Sequence, residues 1–172
     1  MLNIRAVKKD TLYDVMLQQM YSLNYVWMRI EGLIQQRAPE VYRSEEYHQL
    51  FEDYGSEEAR RLLKALGFPK EETKDLARFL KYSHWAVFEN IEIAGLTADS
   101  FILRTLDCSA QRAAKRWGLE YYDCGAGGLR LRNGFFKGIN PRARVQRIFT
   151  PPEVGPEGRP GVASCEWLIS LE

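Results

Sequence analysis

Three cysteines, Cys108, Cys124 and Cys165, and two histidines, His48 and His84, are the side chains of this sequence best suited to covalent or metal chemistry. Cys108 lies in Leu106-Asp107-Cys108-Ser109, where an extended apolar run gives way to a helical pattern. Amides at a helix N-terminus favour a thiolate, so a nucleophile would be well placed there. A small buried residue under the helix's first turn is the plainer alternative. A nucleophile also needs a base within hydrogen-bond reach. His48 stands amid Glu45, Glu46 and Gln49 and reads as surface, whereas His84 precedes the first extended run and could face sheet or water. The catalytic candidates are therefore Cys108 with either His84 or Glu31 as base, and Glu31 would serve only if burial raised its pKa.

Zinc needs four ligands. Cys108, Cys124, Cys165 and His84 total four, but there is no Cys-x-x-Cys knuckle, so no metal and no cofactor is expected. Gly125-Ala126-Gly127-Gly128 lacks the Lys-Ser/Thr of a phosphate loop and the six-residue dinucleotide spacing; a turn or a close backbone approach accounts for it.

Binding candidates flank these residues. Glu31 stands beside an apolar stripe with Trp27 and is followed by Gly32, which costs about 1 kcal/mol in a helix interior and lets backbone or ligand come close. A rim ion pair is the alternative for Glu31. Arg112 follows Cys108 by one turn, and Arg147 alternates with Val145 and Phe149, which would turn it inward. A buried arginine wants a carboxylate: Asp107 or Glu31 if the role is structural, a ligand's carboxylate if it is functional. The ligand-contact set is thus Trp27, Glu31, Cys108, Arg112 and Arg147.

The elements that must position these residues follow from periodicity. Over 10–37, Leu12, Met16, Leu23, Trp27, Ile30 and Ile34 fall within about 60° of one another at 100° per residue, which predicts one long helix ended by Pro39. Flanking apolar residues make its stripe broad enough to be covered from two sides, by its own domain and by a second subunit. A second helix spans 44–66, with a break near Tyr54-Gly55, and a third spans 70–81. The period then drops to two: strands near 85–95 and 101–106 make a hairpin. Short helices follow at 110–117 and around 129–136, then strands at 142–149 and 162–171, separated by a Pro/Gly-rich loop. The fold class is α+β, with N-terminal helices, then two β-hairpins separated by two short helices, forming a four-stranded antiparallel sheet.

Composition bounds the rest. The 172 residues suit a single domain, 1–172, and 45% apolar with 27% charged residues suits a globular chain. A net charge of +1 points to neither nucleic acid nor an acidic membrane. Residues 101–172 hold 11 Lys and Arg against 7 Asp and Glu, a mild surplus that suits an anionic small molecule. No signal core or membrane-length apolar run is present, and an odd cysteine count is no disulfide framework, so a cytoplasmic location is expected.

One set of motifs carries a resemblance: the segment 107–119 from Asp107-Cys108 to Trp117-Gly118-Leu119, then Asn140-Pro141-Arg142, Pro151-Pro152-Glu153 and Cys165-Glu166-Trp167, together with Trp27 to Leu33 and Ala59 to Gly67 in the first two helices. Over residues 24–171 the chain resembles a family of small bacterial and archaeal cytosolic proteins known as a domain of unknown function. More distantly it is similar to aminothiazoline-carboxylate hydrolase-like proteins, in which a cysteine also opens a helix. Its layout is similar to the ligand-binding domain of vinyl-reductase proteins, nitric-oxide sensors and vesicle-tether subunits, which often dimerises. Cysteines expected just before the Pro-Pro pair are replaced here by Arg147-Ile148-Phe149-Thr150, so no role of theirs carries over. The expectation is a domain that binds or senses an unknown small molecule between the first helix and the sheet, near Trp27, Glu31, Cys108 and Arg112, and that forms a homodimer. The first alternative is a hydrolase of a small cyclic amidine or amide with Cys108 as nucleophile. The second is a structural subunit acting through its dimer surface.

Overall fold

The computed structural model describes residues 8–153 and 163–172. Its N-terminal part is helical: α1 (Lys9–Arg37), α2 (Pro39–Tyr42), α3 (Glu45–Leu66), α4 (Thr73–Leu80) and α5 (His84–Phe88). Local signals set most of these bounds. Pro39 ends α1 and occupies the first turn of α2, where its missing N–H has no partner to lose. The Ser44 hydroxyl accepts from the Tyr47 amide at 3.1 Å to open α3, and Gly67, in the left-handed region at φ 60°, closes it. Glu72 and Asp75 form a reciprocal capping box on α4.

The C-terminal part carries the sheet: β1 (Asn90–Ala94), β2 (Ser100–Asp107), α6 (Ser109–Arg116), α7 (Gly125–Ile139), β3 (Ala143–Phe149) and β4 (Cys165–Leu171). The four strands lie in the order β1-β2-β4-β3, and every neighbouring pair is antiparallel. This is the α+β arrangement that the alternating patterns predict: two hairpins joined through β2 and β4. Phe101, Leu103 and Thr105 of β2 and Cys165, Trp167 and Ile169 of β4 are buried on one face, where α7 packs, with Phe136 6.0 Å from Phe101. Among the described residues no helix is long and apolar enough to cross a membrane.

Three local expectations are corrected. Trp85 and Val87 belong to the helix α5, not to a strand beginning at 85; a five-residue apolar run is too short to display its period, and one helical turn buries Trp85 against Phe135, 5.2 Å away. Helix α3 does not break at Tyr54-Gly55. A Cβ at Gly55 would sit 2.2 Å from the Leu131 carbonyl oxygen, so the glycine admits α7 rather than ending α3. For the same reason α7 extends back to Gly125. Gly127 and Gly128 lie in its first turns against Phe51 and Trp167, and Gly125 against Arg147, so the glycine cluster makes room for side chains from α3, β3 and β4. The expected start of the last strand at Val162, and most of the Pro/Gly-rich loop, lie outside the described residues.

Candidate functional site

Helix α1 lies over the rest of the molecule without sealing against it, and a cavity of about 440 Å³ opens beneath it. Leu23, Val26, Trp27 and Ile30 of α1 form one wall, and Trp85, Phe88 and Leu131 contribute apolar surface from α5 and α7. Glu89, Cys108, Cys124, Arg132 and Cys165 bring polar or reactive atoms to the same space. Each cysteine stands where an element begins: Cys108 and Cys124 are the N-caps of α6 and α7, and Cys165 opens β4 opposite Thr105. All three are free thiols. Among the described residues, no group of three His, Cys, Asp or Glu side chains is arranged to hold a metal ion.

Glu89, just past α5, links two of these elements. One carboxyl oxygen accepts from the Cys108 thiol at 3.6 Å and the other from the Thr105 hydroxyl at 3.4 Å. Burial raises its pKa, against the opposing charges of Arg132 and His84. Burial also raises the Cys108 thiol, and the nearby Glu89 carboxylate raises it further. Cys124 is pushed up to about 12, first by burial and then by Cys165. Protonated thiols are poor nucleophiles.

His84 also lines the cavity, but its Nδ1 is bonded to Glu58 Oε2 at 2.7 Å, and its backbone N–H donates to the other oxygen of Glu58 at 2.7 Å. Glu58 thus fixes the ring beside Trp85, with centroids 4.3 Å apart. His84 is held for Glu58 and not for Cys108.

Of the five residues expected to contact a ligand, Trp27 and Cys108 line the cavity; Glu31, Arg112 and Arg147 do not. Glu31 is 3% exposed and accepts hydrogen bonds from the hydroxyls of Tyr47 and Tyr122, the latter at 3.1 Å. Burial raises its pKa although both tyrosines pull it down. Its role is to pin α1 to α3 and to the segment before α7, and neighbouring Gly32 makes room for Leu119 and Trp117. Arg112 pairs with Asp107 and donates to the Phe88 carbonyl at 3.2 Å on an exposed edge. Arg147 does not turn inward. It stands opposite Trp167, in register with the face that α7 covers, but at the sheet's edge its side chain is 42% exposed, passes Gly125 and pairs with Glu153 at 3.3 Å; the bulge that follows, between Arg147 and Phe149, shifts only the residues after it.

The buried arginine is Arg132, 5% exposed on α7. Its guanidinium stands 4.2 Å from the centroid of the Trp167 ring and 5.0 Å from that of Trp85. Three cations, Arg130, Arg132 and Lys137, stand in this helix, and nothing in their spacing singles out Arg132. Glu89 and Arg132 both escaped notice because their neighbours in space come from other elements.

The chain belongs to a family of unknown function (DUF6125), whose model matches residues 10–171. No curated protein matches it.

Proposed function

We propose that this chain is a small-molecule-binding domain whose ligand occupies the cavity under α1. The observation that carries the proposal is the cavity itself. Its volume lies in the range of small-molecule sites, its walls are mainly apolar, and a few polar groups converge on it. The resemblance of its layout to ligand-binding domains of vinyl-reductase type supports the same function by analogy of fold alone. The hydrolase alternative needs a Cys108 thiolate and a base to form it. The raised thiol and the commitment of His84 to Glu58 speak against both. We also propose, on the exposure of Tyr13, Val15 and Met16 beyond the cavity, that α1 carries a second copy of the chain.

The neutral dye N-phenyl-1-naphthylamine, which fluoresces in apolar surroundings, tests the binding function. Saturable uptake of one dye per chain is expected. Val26→Glu, a change at a half-exposed position of the cavity wall, should weaken uptake about tenfold while leaving the unfolding transition in place, since a charge in an apolar wall must be desolvated by the dye. Absence of saturable uptake by folded protein would overturn the proposal.

A further inference from the structure

Arg132 has more hydrogen-bonding capacity than its surroundings use. A guanidinium carries five N–H donors in one plane. Among the described residues Arg132 makes one hydrogen bond, from Nη1 to the Gly128 carbonyl at 3.2 Å, and its buried Nε has no partner. It forms no salt bridge among the described residues. Glu89 lines the same cavity but bonds Cys108 and Thr105 instead. The indoles of Trp85 and Trp167 interact with the cation through their π faces, which leaves the in-plane N–H donors other than the one to Gly128 unused among the described residues. A buried cation in this position is costly unless an anion meets it.

We infer that Arg132 anchors the carboxylate of an amphiphilic monocarboxylic acid, whose apolar body lies along Leu23, Val26, Trp27 and Ile30. This rests on the binding function proposed above and names its ligand class. A planar carboxylate matches the in-plane donors of a guanidinium two at a time, as a phosphate also does, so charge decides between them. One negative charge matches one cation. A phosphate monoester would bring a second charge into a cavity that already contains an acid, Glu89. The wall of α1, apolar apart from Asn24, supplies contact chiefly for a hydrocarbon or aryl body.

Three probes of one chain length separate head group from body: decanoate, 1-decanol and decylamine, each displacing N-phenyl-1-naphthylamine at pH 7.5. Decanoate should bind about tenfold or more tightly than 1-decanol, as a charge-assisted pair requires, and decylamine most weakly. Arg132→Gln should abolish the preference for decanoate and leave 1-decanol unchanged. Should that variant fail to fold, the comparison of the three probes on the wild-type chain still decides the matter. Equal binding of decanoate and 1-decanol, tightest binding of decylamine, or bound dye that none of the three displaces would overturn the carboxylate assignment and leave the binding function standing. Failure of the dye itself to bind would remove both.

Discussion

Helices α3 and α1 meet the rest of the molecule in opposite ways. Where α3 crosses α7, glycines bring the helices close: a Cβ at Gly134 would lie 2.0 Å from the Glu52 carbonyl oxygen, and one at Gly138 would lie 2.8 Å from the Cβ of Ala59. Backbone rests on backbone, and no space remains. Where α1 crosses the same body, large residues stand between the helices and leave the cavity open. Of α1 only Glu31 and Gly32 are buried, and the helix is held there by hydrogen bonds as much as by packing. Gln35 Nε2 donates to the Tyr121 carbonyl at 3.1 Å, close to the Glu31 tyrosines. The first contact holds the fold together and the second is adjustable, which is what a wall of a binding site requires.

Glycine substitutions should expose that difference most strongly. Gly134→Ala forces α3 and α7 apart and should lower the unfolding free energy by about 3 kcal/mol or more. Gly32→Ala meets only Leu119 at 3.4 Å and Trp117 at 3.7 Å. It should be neutral within about 1 kcal/mol, because relief of the glycine's entropic cost offsets slight crowding. Urea unfolding of both variants checks the pair. Equal losses would mean that α1 is packed as tightly as α3.

A smaller effect should follow from the polar pin. Glu31→Leu removes the acceptor of two tyrosine hydroxyls and leaves the buried Tyr122 hydroxyl only Tyr42 as a partner, at a cost of about 1–3 kcal/mol. Hydrogen exchange should quicken in α1 and not in α7; uniform quickening would place α1 within the main cooperative unit. The wild type adds a pH test. The pKa of Glu31 is raised in the fold above its ordinary 4.5. Its contribution to stability is therefore fully present below 4.5 and is lost as pH rises through the raised value. Glu89 acts in the same direction. Glu31→Gln should flatten part of that decline, and an unchanged profile would show that Glu31 titrates in the fold as it does when unfolded.

The tightly packed half was the more legible in the sequence. The alternation of Cys165, Trp167, Ile169 and Leu171 predicted β4, and the apolar run 101–106 beyond a turn predicted β2, because a strand with one buried face cannot hide its period. The glycines of α7 misled because a glycine that admits a neighbouring helix looks, in one dimension, like a glycine that turns the chain. Of the candidate site, the sequence singled out Trp27, Cys108 and His84. Arg147 and Arg112 drew attention through their local alternation and spacing, yet each sits at an exposed edge and is held by a carboxylate, Glu153 for one and Asp107 for the other. Arg132 and Glu89 depend on contacts between α7, α5 and β2, which no local pattern encodes.

The smallest effect on the stability of the isolated chain is expected at the far end of α1. Tyr13 is 67% exposed and Met16 is 55% exposed, and neither lines the cavity. Truncating Tyr13 to serine removes almost no contact within one chain, so the unfolding free energy of the monomer should move by less than about 0.5 kcal/mol. Assembly should respond differently. A two-fold interface presents the same patch twice, so one substitution deletes two copies of every contact that the tyrosine makes. Removing apolar area from both sides of a modest interface weakens it in proportion to the area lost, at about 25 cal/mol per Å². Light scattering at micromolar concentration should therefore report a dimer for the wild type and a shift toward monomer for Tyr13→Ser, with no change in the circular dichroism of either. A monomeric wild type would remove the second copy from the account of α1. A dimer indifferent to Tyr13→Ser would move the interface off this half of the helix.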